Sequence, residues 1–165
     1  MNILVNGILG FMGKEVRKLC DSSYRNAKFI CGVDAFSNGE EAKVYNSLDA
    51  VENIDEVDCI VDFSHHSATP ELLKYAASKK IPVVLATTGH TEEEIACVYE
   101  ASKKIPIFYS ANMSLGIALL VELAKKTAEA MPDAEIEIIE KHHNQKIDAP
   151  SGTALAIADA INEVS

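Results

Sequence analysis

Basic residues are scarce in this sequence. Fifteen lysines and arginines face 25 aspartates and glutamates over 165 residues, a formal charge of −10. Neutralising phosphates needs a surplus of Lys and Arg, so this balance argues against a nucleic-acid-binding face, and an anionic membrane surface would repel the chain for the same reason. Tryptophan is absent, and no apolar run approaches the roughly 18 to 20 residues that span a bilayer. The first residues, Met1 to Gly7, enter a strand pattern directly, with no cationic stretch and no small-residue cleavage site. The expectation is an untargeted, cytoplasmic protein. The four cysteines, Cys20, Cys31, Cys59 and Cys97, lie far apart and form no CxxC pair. That spacing excludes a zinc ribbon or a disulfide framework and predicts buried, reduced thiols that pack as small hydrophobes.

What is present is a globular composition, 48% hydrophobic and 24% charged, with a mean hydropathy of +0.05. Short β-branched runs alternate with longer helical stretches, the pattern of βαβ units and a parallel sheet. Strands are predicted at residues 3–6, 28–34, 59–63, 82–87 and 107–110, and helices at 13–21, 70–80 and 91–104. The third helix opens with Thr91 and Glu94 at capping-box spacing. Near-continuous apolar strands predict helices on both faces of the sheet. Beyond residue 110 the character changes to a long apolar helix at 114–131. A half-exposed strand at 135–140, a polar loop at 142–150 and a final helix from Gly152 follow. The fold class read from this order is α/β, a Rossmann-like parallel sheet followed by part of a smaller α+β unit. The boundary falls near Asn112, giving domains 1–112 and 113–165, and the second has too few elements to close a core.

Chemistry gathers at a few places. Gly7-Ile8-Leu9-Gly10-Phe11-Met12-Gly13 follows the first strand. A Gly-rich strand-to-helix turn lets backbone N–H groups approach a pyrophosphate at a helix N-terminus, although a tight turn without a ligand has the same composition. A Walker A loop is excluded, because Gly13-Lys14 is followed by Glu15 and the position five before Gly13 is Ile8. Asp34, about 20 residues on at the end of the second strand, stands where a carboxylate meets adenosine ribose hydroxyls; as a simpler alternative it caps a turn. Asp62-Phe63-Ser64 and Ala86-Thr87-Thr88-Gly89 end two more strands at the same sheet edge, where ligands of open parallel sheets bind. His65, His66 and His90 read as loop residues without partners. Between Glu140 and Thr153, His142, His143 and Lys146 precede a Ser-Gly-Thr helix start. His and Lys supply protons near neutral pH, and cations with helix-start N–H groups suit a carboxylate ligand; a solvated loop is the plain alternative. Adjacent histidines without a carboxylate or cysteine at ligand spacing make a metal site a poor reading.

These motifs, together with Ser110-Ala111-Asn112-Met113-Ser114-Leu115-Gly116 and Asp148-Ala149-Pro150-Ser151-Gly152-Thr153-Ala154, strongly resemble the 4-hydroxy-tetrahydrodipicolinate reductase (dihydrodipicolinate reductase) family, in order over almost the whole chain. The resemblance implies an NAD(P)H-dependent reductase of the diaminopimelate route to lysine, with a nucleotide domain and a substrate domain assembled as a homotetramer. It implies that Gly7, Ile8, Leu9, Gly10, Phe11 and Met12 cradle the pyrophosphate and that Asp34 holds the adenosine ribose. Ala86, Thr87, Thr88, Ser110, Ala111, Asn112 and Met113 would line the nicotinamide side. His142 would be proton donor and acceptor and Lys146 proton donor, while His143, Gly152 and Thr153 would bind the small dicarboxylate substrate. Asp34 is followed by Ala35-Phe36-Ser37-Asn38, with no base to meet a 2′-phosphate, so NADH is expected over NADPH, which stays possible. Family members continue past the Ser-Gly-Thr helix, so a fragment or an incomplete sequence is expected. Two alternatives stay open: another Rossmann-type enzyme such as an amino-acid dehydrogenase, and a nucleotide-binding module without turnover.

Overall fold

The computed structural model describes residues 1–110, 112–144 and 149–164. It divides into two compact units, Met1–Ser110 and Ala111–Ser165.

The first unit is a six-stranded parallel sheet. Its strands are β1 (Asn2–Asn6), β2 (Lys28–Val33), β3 (Val44–Tyr45), β4 (Cys59–Asp62), β5 (Val83–Leu85) and β6 (Ile107–Tyr109). Their order across the sheet is β3-β2-β1-β4-β5-β6, every pair parallel. The chain starts at the middle, winds outward through β2 and β3, and returns to lay β4 on the other side of β1. That reversal is the topological switch point, beyond whose carboxyl end open α/β sheets bind ligands. Strand pleating sends alternate residues to opposite faces. Leu4, Ile60, Val83 and Leu85 face one core with Leu72, Leu73 and Ala76 of helix α2 (Thr69–Lys79) and Val98 and Ala101 of α3 (Glu92–Ser102). Ile3, Val5 and Cys59 face the other, with Ile8, Cys20 and Val16 of the segment leading into and through α1 (Phe11–Asp21). Helices thus cover both faces, as the apolar strands predict.

The predicted elements of this unit are present with ends shifted by a few residues. β3 is new; two residues long and following a Gly-containing loop, it carries too little pattern to read. The thiols divide three to one. Cys20, Cys31 and Cys59 are buried, whereas Cys97 is exposed, against expectation, because it lies on the outer side of α3. Burial pushes the Cys31 thiol up to about 11 and raises those of Cys59 and Cys20, so the three stay protonated at neutral pH.

In the second unit, α4 (Leu115–Ala130) packs on α5 (Gly152–Asn162), burying Ala128, Ala160 and Ile161. Lys125 donates to Glu163 at 2.5 Å and ties their far ends. The strand expected at 135–140 does not form. The segment has no regular structure and is exposed, Ile139 at 89%, and no neighbouring strand among the described residues supplies the ladder that a strand requires. Among the described residues no helix is long and apolar enough to cross a membrane.

Candidate functional site

The turn after β1 is built by close approach. Gly7 has φ +80°, and a Cβ there would sit 2.5 Å from the Phe63 carbonyl oxygen at the end of β4. A Cβ on Gly13, inside α1, would sit 2.2 Å from the Gly7 carbonyl oxygen, and one on Gly10 3.2 Å from the same atom. The first turn of α1 therefore lies directly against the switch point, which a side chain at either end of the motif would prevent.

The amides of this turn divide into two groups. Gly7 and Ile8 both donate to the Val33 carbonyl, Leu9 donates to Asp34 Oδ2 at 3.0 Å, and Gly10 donates to the Gly7 carbonyl. Those four hold the turn. The N–H groups of Phe11, Met12 and Gly13 are the unpaired donors that begin any helix. α1 has no side-chain cap and no acidic residue in its first turn. An anion has three free donors and the positive end of the helix dipole there. Ile8 contributes packing, being 1% exposed in the core, while Phe11 is exposed.

Beside the turn lies a cleft of about 770 Å³, lined among others by Gly7, Gly10, Asp34, Phe36, Ser64 and Leu72. Asp34 is fixed from two sides: Oδ2 accepts from Leu9, and Oδ1 accepts from the Phe36 N–H at 3.1 Å. Each carboxylate oxygen keeps a lone pair for a ligand hydroxyl. Asp34 thus fastens the turn, the simpler of its two sequence readings, and also lines the cleft. Phe36, Asn46 and Ser64 also line the cleft. Of these only Ser64 carried a sequence signal, the strand-end motif, whereas Phe36 and Asn46 arrive through loops that fold back from β2 and β3.

At the next strand ends Ala86 and Thr87 are buried and Thr88 is exposed. The three histidines here are partnered, contrary to the sequence reading. His66 Nδ1 lies 2.9 Å from Glu94 Oε2, His90 Nε2 lies 2.8 Å from Thr69 Oγ1, and His65 Nδ1 lies 2.9 Å from Ser67 Oγ. Sequence distance hid the contacts of His66 and His90, whose partners lie 28 and 21 residues away, whereas His65 meets its near neighbour Ser67. The capping box predicted at Thr91 is formed: Thr91 Oγ1 accepts from the Glu94 N–H, and Glu94 Oε2 accepts from the Thr91 N–H.

The Glu94 carboxyl is held below its ordinary value of 4.5, first by the Thr91 N–H and then by His66. A depressed folded value stabilises above the unfolded one and fades as pH falls through the folded one. Glu94→Gln is therefore expected to be less stable than the parent at neutral pH, with the gap closing as pH drops below about 4.5. Thr91→Ala should cost about 1 kcal/mol. Urea unfolding at neutral and acid pH checks both, and a Glu94→Gln gap that persists in acid contradicts the assignment.

In the second unit the starts of α4 and α5 meet. Asn112 Nδ2 donates to Thr153 Oγ1 at 3.1 Å, while Asn112 Oδ1 accepts from the Ser114 N–H at 2.9 Å. Met113, next to it, is half-exposed. Ser151 caps α5 by accepting from the Ala154 N–H. Glu140 Oε1 accepts from the Ser151 N–H at 2.8 Å, and its Oε2 lies 3.5 Å from His142 Nδ1. One carboxylate thus sets His142 beside the start of α5, where Gly152 has open space around it and the first turn holds no acid. His143 is exposed. Ser110, at the end of the first unit, is partly exposed. Ala111 and Lys146 lie outside the described residues.

The family model described as dihydrodipicolinate reductase, N-terminus, matches residues 1–113, and the one described as dihydrodipicolinate reductase, C-terminus, matches residues 116–165. The 4-hydroxy-tetrahydrodipicolinate reductase of Caldanaerobacter subterraneus subsp. tengcongensis is 52% identical over 166 residues, covering 99% of this chain and 64% of that protein. The Clostridium tetani protein of the same name is 41% identical with the same coverage. The chain thus spans 64% of the length of these curated relatives. Among solved structures, dipicolinate-bound dihydrodipicolinate reductase from Paenisporosarcina sp. TG-14 matches with a TM-score of 0.80 at 26% identity, over 99% of this chain and 66% of that one. A probable dehydrogenase from Thermotoga maritima, at 16% identity and a TM-score of 0.58 over 80% of this chain and 40% of its own, shares the fold.

Proposed function

The chain belongs to the dihydrodipicolinate reductase family, and from that premise we propose that it serves the NAD(P)H-dependent reduction of 4-hydroxy-tetrahydrodipicolinate to tetrahydrodipicolinate. This places it in the diaminopimelate route to lysine, in the cytoplasm and as a homotetramer. The observation that carries the reading is the start of α5, where an acid-free helix N-terminus, Thr153 and a carboxylate-held His142 stand together. Amide donors and imidazole suit a dicarboxylate, and a proton donor beside it suits a ring that must be protonated as it is reduced.

In this reading residues 1–112 form the dinucleotide domain and 113–165 the substrate part. The glycine cradle fits a dinucleotide, because the space a Cβ would fill at Gly7, Gly10 and Gly13 is what lets the backbone and the first turn of α1 approach a pyrophosphate. A bound nicotinamide cofactor supplies the hydride. The amides of Phe11, Met12 and Gly13 hold the pyrophosphate, with the turn from Gly7 to Gly10 shaping the cradle. Asp34 accepts the adenosine ribose hydroxyls, and Ala86, Thr87, Thr88, Ser110, Ala111, Asn112 and Met113 line the nicotinamide side. Loss of the 4-hydroxyl as water leaves a conjugated C=C–C=N; hydride enters at carbon and a proton must follow elsewhere in the ring system. His142 and Lys146 deliver that proton, while His143, Gly152 and Thr153 hold the carboxylates.

The test is substrate-dependent oxidation of NADH by the chain. Turnover supports the proposal, binding of NADH without turnover leaves a nucleotide-binding module, and neither overturns both. NADH is expected to bind more tightly than NADPH, because the Asp34 carboxylate repels a 2′-phosphate. Asp34→Asn keeps an acceptor for Leu9 while removing the charge, so it should narrow that preference by about tenfold; equal calorimetric affinities in the parent chain contradict the assignment.

A further inference from the structure

Asp62 ends β4 with no exposed surface, and nothing in the proposed chemistry uses it. A buried carboxylate without a cation persists only when donors surround it. Here three chain segments supply them. Asn6 Nδ2, from the end of β1, donates to Oδ1 at 2.7 Å. The Ser64 hydroxyl donates to Oδ1 at 2.7 Å, with the Ser64 N–H at 3.4 Å. The Thr87 hydroxyl, from the loop after β5, donates to Oδ2 at 2.6 Å.

This arrangement has a chemical consequence beyond stitching. A hydroxyl has one proton and two lone pairs, and an ionised carboxylate has no proton to give. Ser64 and Thr87 therefore both spend their proton on Asp62. Thr87 is buried, but Ser64 lines the cleft beside Gly7 and Gly10, where its oxygen can act only as an acceptor. We propose that Asp62 is a positioning residue that fixes the hydroxyl of Ser64 as an obligate hydrogen-bond acceptor toward the dinucleotide cleft, selecting a ligand group that donates. On the nicotinamide half of a dinucleotide the donors are the ribose hydroxyls and the carboxamide N–H₂, and either satisfies Ser64. Asp34, which follows β2 on the other side of β1, offers the adenosine ribose acceptors in the same reading, so both flanks of the glycine turn present acceptors while α1 presents donors to the pyrophosphate between them. The inference rests on the dinucleotide reading given above.

The experiment is fluorescence titration of NADH into the chain and its variants, with thermal midpoints measured alongside. Ser64→Ala is expected to weaken NADH roughly three- to tenfold, the worth of one neutral hydrogen bond, with a small change in midpoint, since Asp62 keeps Asn6 and Thr87. Ser64→Thr keeps the hydroxyl and should restore affinity to within about twofold. Asp62→Asn places an amide N–H₂ where an acceptor stood, turns one hydroxyl around, and should weaken NADH at least as much as Ser64→Ala. If Asp62→Asn does not fold, the two Ser64 variants still decide. Repeating the Ser64→Ala comparison with the 3-acetylpyridine analogue, which lacks the carboxamide N–H₂, identifies the donor: the loss vanishes if it is the carboxamide and persists if it is the ribose. Tight NADH binding by the parent with Ser64→Ala unchanged overturns the inference and leaves the dinucleotide reading intact. A parent chain that binds no NADH overturns both.

Discussion

Replacing His142 with glutamine is expected to lower kcat for the proposed reductase reaction by about 10² to 10⁴, the usual worth of a positioned proton donor, with little change in NADH affinity. Glutamine keeps hydrogen-bonding capacity and approximate size but cannot carry the proton. The side chain of His142 is 40% exposed, so the exchange opens no cavity, and the thermal midpoint should barely move. Glu140 gives the prediction its geometry, since one carboxylate holds both the α5 start, through the Ser151 N–H, and the His142 ring. Lys146→Ala should fall in the same range. His143→Ala should act mainly on KM, as expected for a carboxylate contact made equally in ground and transition states. A solvated loop predicts something else: all three variants would leave both constants nearly unchanged. Near-parental kcat in His142→Gln would refute the proton-transfer assignment.

How much of this was legible beforehand depended on whether the deciding forces were local. β1, β4 and β5 announced themselves because they are almost wholly buried and their central positions are apolar, and the α3 capping box because its partners are three residues apart. The glycine turn and Asp34 were legible as a pair because strand, turn and strand follow each other closely. The use of the turn's amides was not legible. Which N–H groups are spent on Val33 and Asp34 is settled by the approach of β2, 25 residues away for the Leu9–Asp34 bond. The same holds for Asp62, whose donors come from positions 6, 64 and 87. His66 and His90 read as solitary for that reason. Residues 135–140 show the opposite failure. Their alternation is what a strand with one wet face would have, yet alternation only qualifies a segment for pairing, and the partner must come from elsewhere in the chain.

The glycine turn offers the sharpest contest of magnitudes. Gly13 is inside α1, and by helix propensity alone Gly13→Ala should stabilise the protein by about 1 kcal/mol. Sterics demand the reverse. A methyl 2.2 Å from the Gly7 carbonyl oxygen and 2.8 Å from Ile8 Cα overlaps the Gly7–Ile8 peptide, backbone that cannot swing aside, so α1 must back away from the turn. Retreat breaks the contact that sets the first turn of α1, with its Phe11, Met12 and Gly13 amides, against the glycine turn and opens space around Ile8. Gly7→Ala meets a second wall, the end of β4, with a φ of +80° and the Phe63 carbonyl oxygen at 2.5 Å; the backbone conformation alone costs roughly 1 to 3 kcal/mol. Both variants are expected to lose more than about 2 kcal/mol of stability, in the range of severe core lesions, and to weaken NADH about a hundredfold or more. Gly39→Ala is the control. It shares a positive φ, +77°, but has nothing within 4 Å of the added carbon, so it should show a backbone cost of about 1 kcal/mol and unchanged NADH binding. Urea unfolding and NADH fluorescence on the three variants separate the effects. A Gly13→Ala protein as stable as its parent would mean that helix propensity outweighs the overlap and that α1 does not lie against the turn.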